Sequence, residues 1–390
     1  MPLSLEPWSR TPRALAWLAP VFAVLATAAL AGVAFVAMGY PPGATLHAFF
    51  VAPLLSADGW AELLLKAAPL VLVAEGLAFG FRGGVWNIGA EGQITLGAIA
   101  GGGVALLLYE QEGEWVLPLV CLAGLLGGMA WGAVPAWLRL RFGASEILVS
   151  LMLAYVAQLL LVALVHGPWK DPDGFNFPHS RMFADGAVLP PLLEGQRPTW
   201  GTLLSFASAP LAWVLVSRSV LGFHARVAGL APAAARFAGF RETGLVWAAM
   251  LIGGGCAGLA GVFEVAGPIG QLIPQVSPGY GFTAIIVAFL GRLHPFGIVP
   301  AGLLVALSYL GAESAQVAVG LPRGASGLVQ GGLLFAVLAA DVLVRFRLRR
   351  VRRAPEGATM EGTALGETAA GDATPRRAAV TPAVTPGARP

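Results

Sequence analysis

Residues 81–93 place Arg82, Asn87, Glu91 and Gln93 among four glycines, between two apolar stretches each near the length of a membrane span. Two amides and a carboxylate at this spacing can hold a polar solute, cap a helix start or relay a proton. Irregular backbone carrying an ionisable group at membrane depth persists only where it is buried in protein or lines a polar path. Transport is therefore the chemistry these residues suggest. Glu91 opens the following span, where its carboxylate would meet the positive end of the helix dipole, and Asn87 could cap the same start. Glu75 lies inside the preceding span, nine residues after Lys66, too far along one helix for the two to pair. A lipid-facing charge costs at least about 2.5–3.5 kcal/mol. Lys66 can snorkel to the interface, so Glu75 is the better candidate for a bundle-facing or subunit-facing role. The candidate translocation path is thus Glu75, Asn87, Glu91 and Gln93. Glu264, near the outer end of a later span, would meet solvent. Gln271, Gln275 and Tyr280 fall in an outer Gly/Pro loop where a receptor or substrate could touch them.

Other chemistries lack their residues. The five histidines show no ligand spacing, and Cys121 and Cys256 both lie in apolar runs, so no metal is expected. There is no G-x-x-x-x-G-K-[ST] phosphate loop, and the lysines are Lys66 and Lys170 alone, so the chain is not itself an ATPase. A membrane enzyme would need a cluster of His, Asp, Ser or Cys near one interface, and the sequence has none.

The elements that must position these residues are helices. The chain has 390 residues, 57% hydrophobic and 12% charged, against about 25% charged in soluble proteins. Apolar runs near the roughly 20 residues needed to cross a bilayer predict an all-α integral membrane protein. Ten spans are expected, at 14–38, 61–80, 92–108, 116–137, 146–166, 201–216, 244–264, 281–291, 297–312 and 325–345. The first apolar run exceeds a signal-peptide core of 7–15 residues and reads as a retained helix. The organisation is then an N-terminus 1–13, a permease domain 14–345 with a long external loop 167–200 and an internal loop 217–243, and a tail 346–390, basic and then disordered. The Arg cluster at 345–353 would anchor the last helix at an anionic inner leaflet.

Arginines fall on one set of short loops: Arg10 and Arg13, Arg82, Arg139 and Arg141, Arg218 to Arg241, Arg292, and Arg345 onward. The opposite loops carry Asp58, Glu110, Glu112 and Glu114, the long segment 167–200 with Lys170, Arg181 and Arg197, which counts little because long loops do, and Glu313 with Arg323. Short-loop charge then puts both termini in the cytoplasm. Five helices per half would make two inverted halves, as in many transporters, with Gly-rich breaks after the second and seventh spans. Whether those breaks re-enter the membrane stays open at this level. Glycines four apart, at Gly80/Gly84, Gly97/Gly101, Gly124/Gly128, Gly254/Gly258 and Gly327/Gly331, allow close helix approach.

The internal loop 217–243 contains Pro232-Ala233-Ala234-Ala235-Arg236-Phe237-Ala238-Gly239. Pro at the first turn and Gly just past the end predict a short helix, too short to be stable unless docked, either on lipid headgroups or on a partner. The pattern Leu221-Gly222-Phe223, Arg226-Val227-Ala228-Gly229, Pro232, Ala234-Ala235-Arg236, Ala238-Gly239-Phe240 resembles the coupling loop of ATP-binding cassette importer permeases of the ribose and branched-chain amino acid superfamily. Asn87-Ile88-Gly89-Ala90-Glu91-Gly92-Gln93, with Gly143 to Leu148 and Ser277 to Phe282, resembles the nucleoside and simple-sugar group that works with Bmp-type receptor lipoproteins. Two positions depart from that group. Ala231 stands where an Asn often precedes the Pro, and Ser145 where an Asn often precedes the Glu.

The resemblance covers residues 60–345 and implies a permease subunit with coupling residues Gly222, Arg226, Gly229, Pro232, Ala234, Ala235, Arg236 and Gly239. It also implies a separate ATPase subunit holding ATP and Mg, a second, shorter permease, a receptor lipoprotein, and residence in a bacterial inner membrane. It orders the substrates as nucleoside first and simple sugar second. An ion-coupled secondary transporter using Glu75, Glu91 and Glu264 is the rival of another class, and it leaves the loop 217–243 unexplained.

Overall fold

The computed structural model describes residues 3–7, 13–111, 113–322, 324–325, 327–332, 335–336, 339 and 346–350. The chain divides into two units, residues 7–347 and a terminal unit of 1–6 with 348–390. Strand β1 (Leu3–Pro7) pairs with β2 (Phe346–Arg350). Part of the Arg-rich stretch is therefore paired strand, where a headgroup anchor was expected. The expected disordered tail lies outside the described residues, as does much of the tenth span.

The large unit is a helical bundle: α1 (Arg13–Ala37), α2 (Pro42–Leu46), α3 (Ala57–Arg82), α4 (Ala90–Leu107), α5 (Val116–Phe142), α6 (Glu146–His166), α7 (Trp200–Arg218), α8 (Val220–Leu230), α9 (Pro232–Phe237), α10 (Glu242–Glu264), α11 (Tyr280–Leu290) and α12 (Pro295–Val319). Among the described residues seven helices are long and apolar enough to cross a membrane, namely α3 to α7, α10 and α12. The chain is an all-α integral membrane protein apart from the paired terminal strands. The eighth expected span is corrected. α11 has 11 residues, about 16 Å at 1.5 Å per residue, half of a crossing.

Burial orders the bundle. In α3, 89% of the apolar window is buried, against 28% and 22% in α5 and α6, so α3 is central and the other two present Leu122, Leu126, Met152 and Leu159 outward. Ser56 starts α3 by accepting the Gly59 N–H. Close contact of α4, α5 and α10 runs along glycines. A Cβ on Gly97 would lie 2.3 Å from Gly258 Cα, and one on Gly128 would lie 2.1 Å from the Gly254 oxygen. Three of the five glycine pairs thus serve one seam, where lipid supplies no hydrophobic drive and backbone proximity supplies van der Waals contact. Gly84 instead is needed for its turn, with φ +73, and Gly327 and Gly331 meet nothing within 4 Å among the described residues.

The two Gly-rich breaks pack inside the bundle. Residues 83–89 run without helix into α4, burying Val85, Asn87 and Gly89, and residues 270–279 run likewise into α11, burying Leu272, Val276 and Ser277. The two helix starts meet, since a Cβ on Gly281 would sit 2.2 Å from the Glu91 nitrogen. From there α11 returns toward the Arg82 end of α3, where Arg82 Nε donates to the Leu293 carbonyl at 2.8 Å, while α4 leads the other way. Two half-extended, half-helical segments of opposite direction are the arrangement expected of inverted halves.

Candidate functional site: the buried break and the cytoplasmic-type loop

Asn87 does not cap α4. Gly89 occupies the cap position without a side-chain bond. Asn87 Nδ2 instead donates to Gln93 Oε1 at 2.8 Å, while Asn87 Oδ1 accepts from Gln93 Nε2 at 3.3 Å and from the Gly89 N–H at 3.1 Å. Both amides are buried, and this pairing satisfies groups that would otherwise be costly in an apolar interior. The Ile88 N–H donates to Ser150 Oγ at 3.3 Å, tying the break to α6.

Glu91 lies in the first turn of α4, but its carboxylate also reaches the neighbouring helix start, accepting the Gly281 N–H at 2.7 Å. One carboxylate therefore faces the positive ends of two helices. Ser277 Oγ accepts from the Gly279 and Tyr280 N–H groups at the same corner. Tyr280 is the first residue of α11 and is buried, not a loop residue open to a receptor. Gln275 is exposed and Gln271 half-buried, so an outer contact remains open to these two.

Glu75 faces the bundle, as its position in a central span requires. It is buried, Ser208 of α7 donates to its Oε2 at 3.2 Å, and its Oε1 has no hydrogen-bond partner among the described residues. Lys66 is held by Glu313 of α12 at 2.9 Å and does not merely snorkel. Asn87, Gln93 and Glu91 thus belong to one structured break, and Glu75 stands apart on the α7 side of α3.

The loop 217–243 folds as α8 and α9. Ser219 caps α8 by accepting the Gly222 N–H at 3.0 Å. α9 runs from Pro232 to Phe237, ended by Gly239 with φ +83, as the Pro/Gly punctuation predicts. Ala231 gives its start no side-chain cap. The eight coupling candidates divide by direction. Ala235 is buried against its own chain, and a Cβ on Gly229 or Gly222 would strike the Arg82 or Val216 carbonyl at 2.0 or 2.3 Å. Arg226, Pro232, Ala234, Arg236 and Gly239 are exposed, as are Leu230 and Phe237, the last at 97%. A cavity of about 290 Å³ separates α9 from the ends of α3, α5 and α10, lined by Gly83, Arg139, His224, Arg236 and Glu242 among others.

Sequence reasoning missed one connection here. Arg139 Nη1 pairs with Glu146 at 2.5 Å and Nη2 with Glu242 at 3.1 Å. Arg139 thereby ties the end of α5 to the start of α6 and to the start of α10, where the loop rejoins the bundle. The spacing of Arg139 and Glu146 across the turn at Gly143 was a readable signal for the first pair. Nothing local signals the second.

A helical bundle with seven helices long enough to cross a membrane, a buried break between two of them and a short helix beside one end has the architecture of a multi-pass membrane permease. A family profile described as "Branched-chain amino acid transport system / permease component" matches residues 59–338, and the chain belongs to that family. The glucose ABC transporter permease protein TsgB13 of Haloferax volcanii is 36% identical over 373 residues, 92% of this chain and 97% of that protein. The guanosine ABC transporter permease protein NupP of Bacillus subtilis is 27% identical over 294 residues, 75% of this chain and 84% of the relative. The nucleoside ABC transporter permease protein NupB of Lactococcus lactis is 26% identical over 334 residues, 84% and 92% of the two chains. The latter two organisms each also have a second similar permease, NupQ and NupC. The chain is an importer permease of the ATP-binding cassette class, a transport subunit.

Proposed function

We propose that this permease carries a small, uncharged, hydroxyl-rich solute inward, with its α9 face docked on a separate ATPase. A simple sugar is the first choice and a nucleoside the second. The order reverses the expectation from motifs alone, because similarity to a glucose permease extends over 97% of that relative at 36% identity. The nucleoside reading rests on the names of the more distant relatives. ATP and Mg sit on the partner ATPase, and this chain binds no cofactor.

The observation that carries the coupling assignment is the exposure of Phe237 on a six-residue helix of which Ala235 alone is buried. A bare aromatic on a helix too short to stand alone favours a protein cleft as its cover. The partner permease is a second, shorter chain, supported by the paired names NupP with NupQ and NupB with NupC. A receptor lipoprotein delivers the solute at the opposite end. The protein resides in the cytoplasmic membrane with α9 and both termini inside, which agrees with the Arg distribution.

The test is reconstitution of the complex in vesicles with labelled glucose and labelled guanosine. ATP-dependent uptake of either supports the reading, and the faster of the two fixes the order. Uptake driven by a proton gradient without an ATPase rejects it. Cysteine labelling after Glu114 and after Arg226 in a background lacking Cys121 and Cys256 should report opposite sides.

A further inference from the structure

At the α9 end of the bundle, α7 meets α8 over an open cleft of about 310 Å³, lined by Ser217, Arg218, Ser219, Val220, Phe223 and Arg226 among others. Ser219, Phe223 and Arg226 are spaced four and three residues apart, so they share one side of α8. Arg218 ends α7 and lays its guanidinium over the Trp213 ring, 5.4 Å from the centroid. Trp213 stands earlier on the same helix, about 7.5 Å deeper at 1.5 Å per residue. Its ring meets Phe296 of α12, with centroids 6.1 Å apart. The arginines therefore stand at the cleft, and the aromatic rings lie on its bilayer side.

The charge at this cleft has no counter-charge. From Trp200 to Arg241 the sequence carries four arginines and no carboxylate. Neither the Arg218 nor the Arg226 guanidinium makes an ion pair or a hydrogen bond among the described residues. Arg139, at the same end, has two carboxylates. Apolar surface adjoins these cations: Leu211 and Val214 on α7, Val220 and Phe223 on α8 and Phe296 on α12 are all exposed. Only 28% of the apolar window of α7 is buried, which leaves most of that span to the bilayer. A Trp just inside an Arg at the end of such a span marks the membrane interface, where headgroup phosphates lie. The guanidinium fork matches a phosphate in shape and charge. An occupant must therefore join negative charge to apolar chains. A soluble anion supplies only the first, and the water-exposed surface of an ATPase does not reach the exposed side chains of a spanning helix.

We propose that Arg218 and Arg226 hold the headgroup phosphate of an anionic phospholipid in this cleft, with its acyl chains along Leu211 and Val214 of α7 and Phe296 of α12. The lipid fills the joint between a spanning helix and the loop 217–243, and so steadies the angle at which α8 leaves the bilayer and leads into α9. The inference needs only a chain that spans the membrane, and it holds whichever solute is carried.

The experiment uses the full-length chain, purified in detergent with the subunits that accompany it. Phosphatidylglycerol, or phosphatidylcholine with the same acyl chains, is titrated in, and retained lipid is counted by native mass spectrometry. Phosphatidylglycerol should be retained severalfold better than phosphatidylcholine. That retention should fall about fivefold in Arg218→Gln and in Arg226→Gln, and further in the double variant, as expected for each arginine near an anionic headgroup. Both arginines are exposed, and the two single variants report independently of each other. Arg141→Gln removes an exposed arginine at the same end but outside the cleft, and should retain lipid like the parent. An equal loss in Arg141→Gln would reduce the effect to diffuse surface charge and overturn the site, as would equal retention of the two lipids. Glycerol 3-phosphate separates the two sources of phosphate. Displacement of the lipid by an equal concentration of it would make the cleft a site for a soluble phosphate and overturn the lipid assignment. Loss of the ATPase from Arg218→Gln with lipid retention unchanged would give the cleft to a protein partner and likewise overturn it.

Discussion

Asn87 and Gln93 hold each other's side-chain amides across one helix start, at 2.8 and 3.3 Å, both of them buried. The pair closes an extended segment into a fixed shape inside the bundle, where water is not at hand to solvate either amide. This closure explains how the Gly-rich break keeps a defined course without helical hydrogen bonds. It also sets the register at which Glu91 meets α11.

Replacing Gln93 by Met should destabilise the purified protein by about 1–3 kcal/mol, because the Asn87 amide is left buried without its partner. The double variant with Asn87→Leu should lose less than the sum of the two single losses. Thermal melting in detergent measures all three. Additive losses would show that the two amides are not coupled.

Arg139→Gln removes two charge-assisted contacts, each worth about 1.5–3 kcal/mol in favourable settings, one of which involves the half-exposed Glu242 and is worth less. Uptake should fall while ATP hydrolysis continues, since the tie between α5, α6 and α10 is lost and the α9 face is not. The ratio of solute moved to ATP hydrolysed is the measurement. An unchanged ratio would leave Arg139 as a stabilising residue without a part in transmission.

Gly258→Val should prevent assembly of the seam formed by α4, α5 and α10, because a Cβ there would lie 2.2 Å from the Gly124 oxygen. Overpacking of this kind typically costs about 1–3 kcal/mol or more. Gly327→Ala, where nothing lies within 4 Å among the described residues, is the control and should cost little. Yield of folded protein in membranes separates the two. Equal yields would mean that the seam yields easily to added volume.

Phe237→Asp tests α9 from its exposed side. The change leaves the buried Ala235 and the spans untouched, so membrane insertion and melting should hold. Copurification of the ATPase and uptake should fall together, by tenfold or more if the ring fills a cleft as buried aromatic anchors do. Ala235→Glu is the less informative substitution, because it would bury a charge within this chain's own fold. Full ATPase retention with Asp at 237 would remove α9 from the interface.

Much of this protein was legible without coordinates. Hydropathy gives the spans because bilayer thickness imposes length, and each of the seven described helices long enough to cross a membrane begins within four residues of an expected span. Pro232 and Gly239 fix α9 through their own backbone preferences, and Gly84 its turn. These features act over a few residues, so sequence alone determines them. What the local pattern could not supply is partnership. Glu91 finds Gly281 190 positions away, Lys66 finds Glu313 at 247, and Arg139 finds Glu242 at 103. The direction of Ala235 and the burial of Tyr280 follow from the same cause. Which side chain meets which depends on how the helices cross and at what depth each begins, and that is decided when the bundle packs.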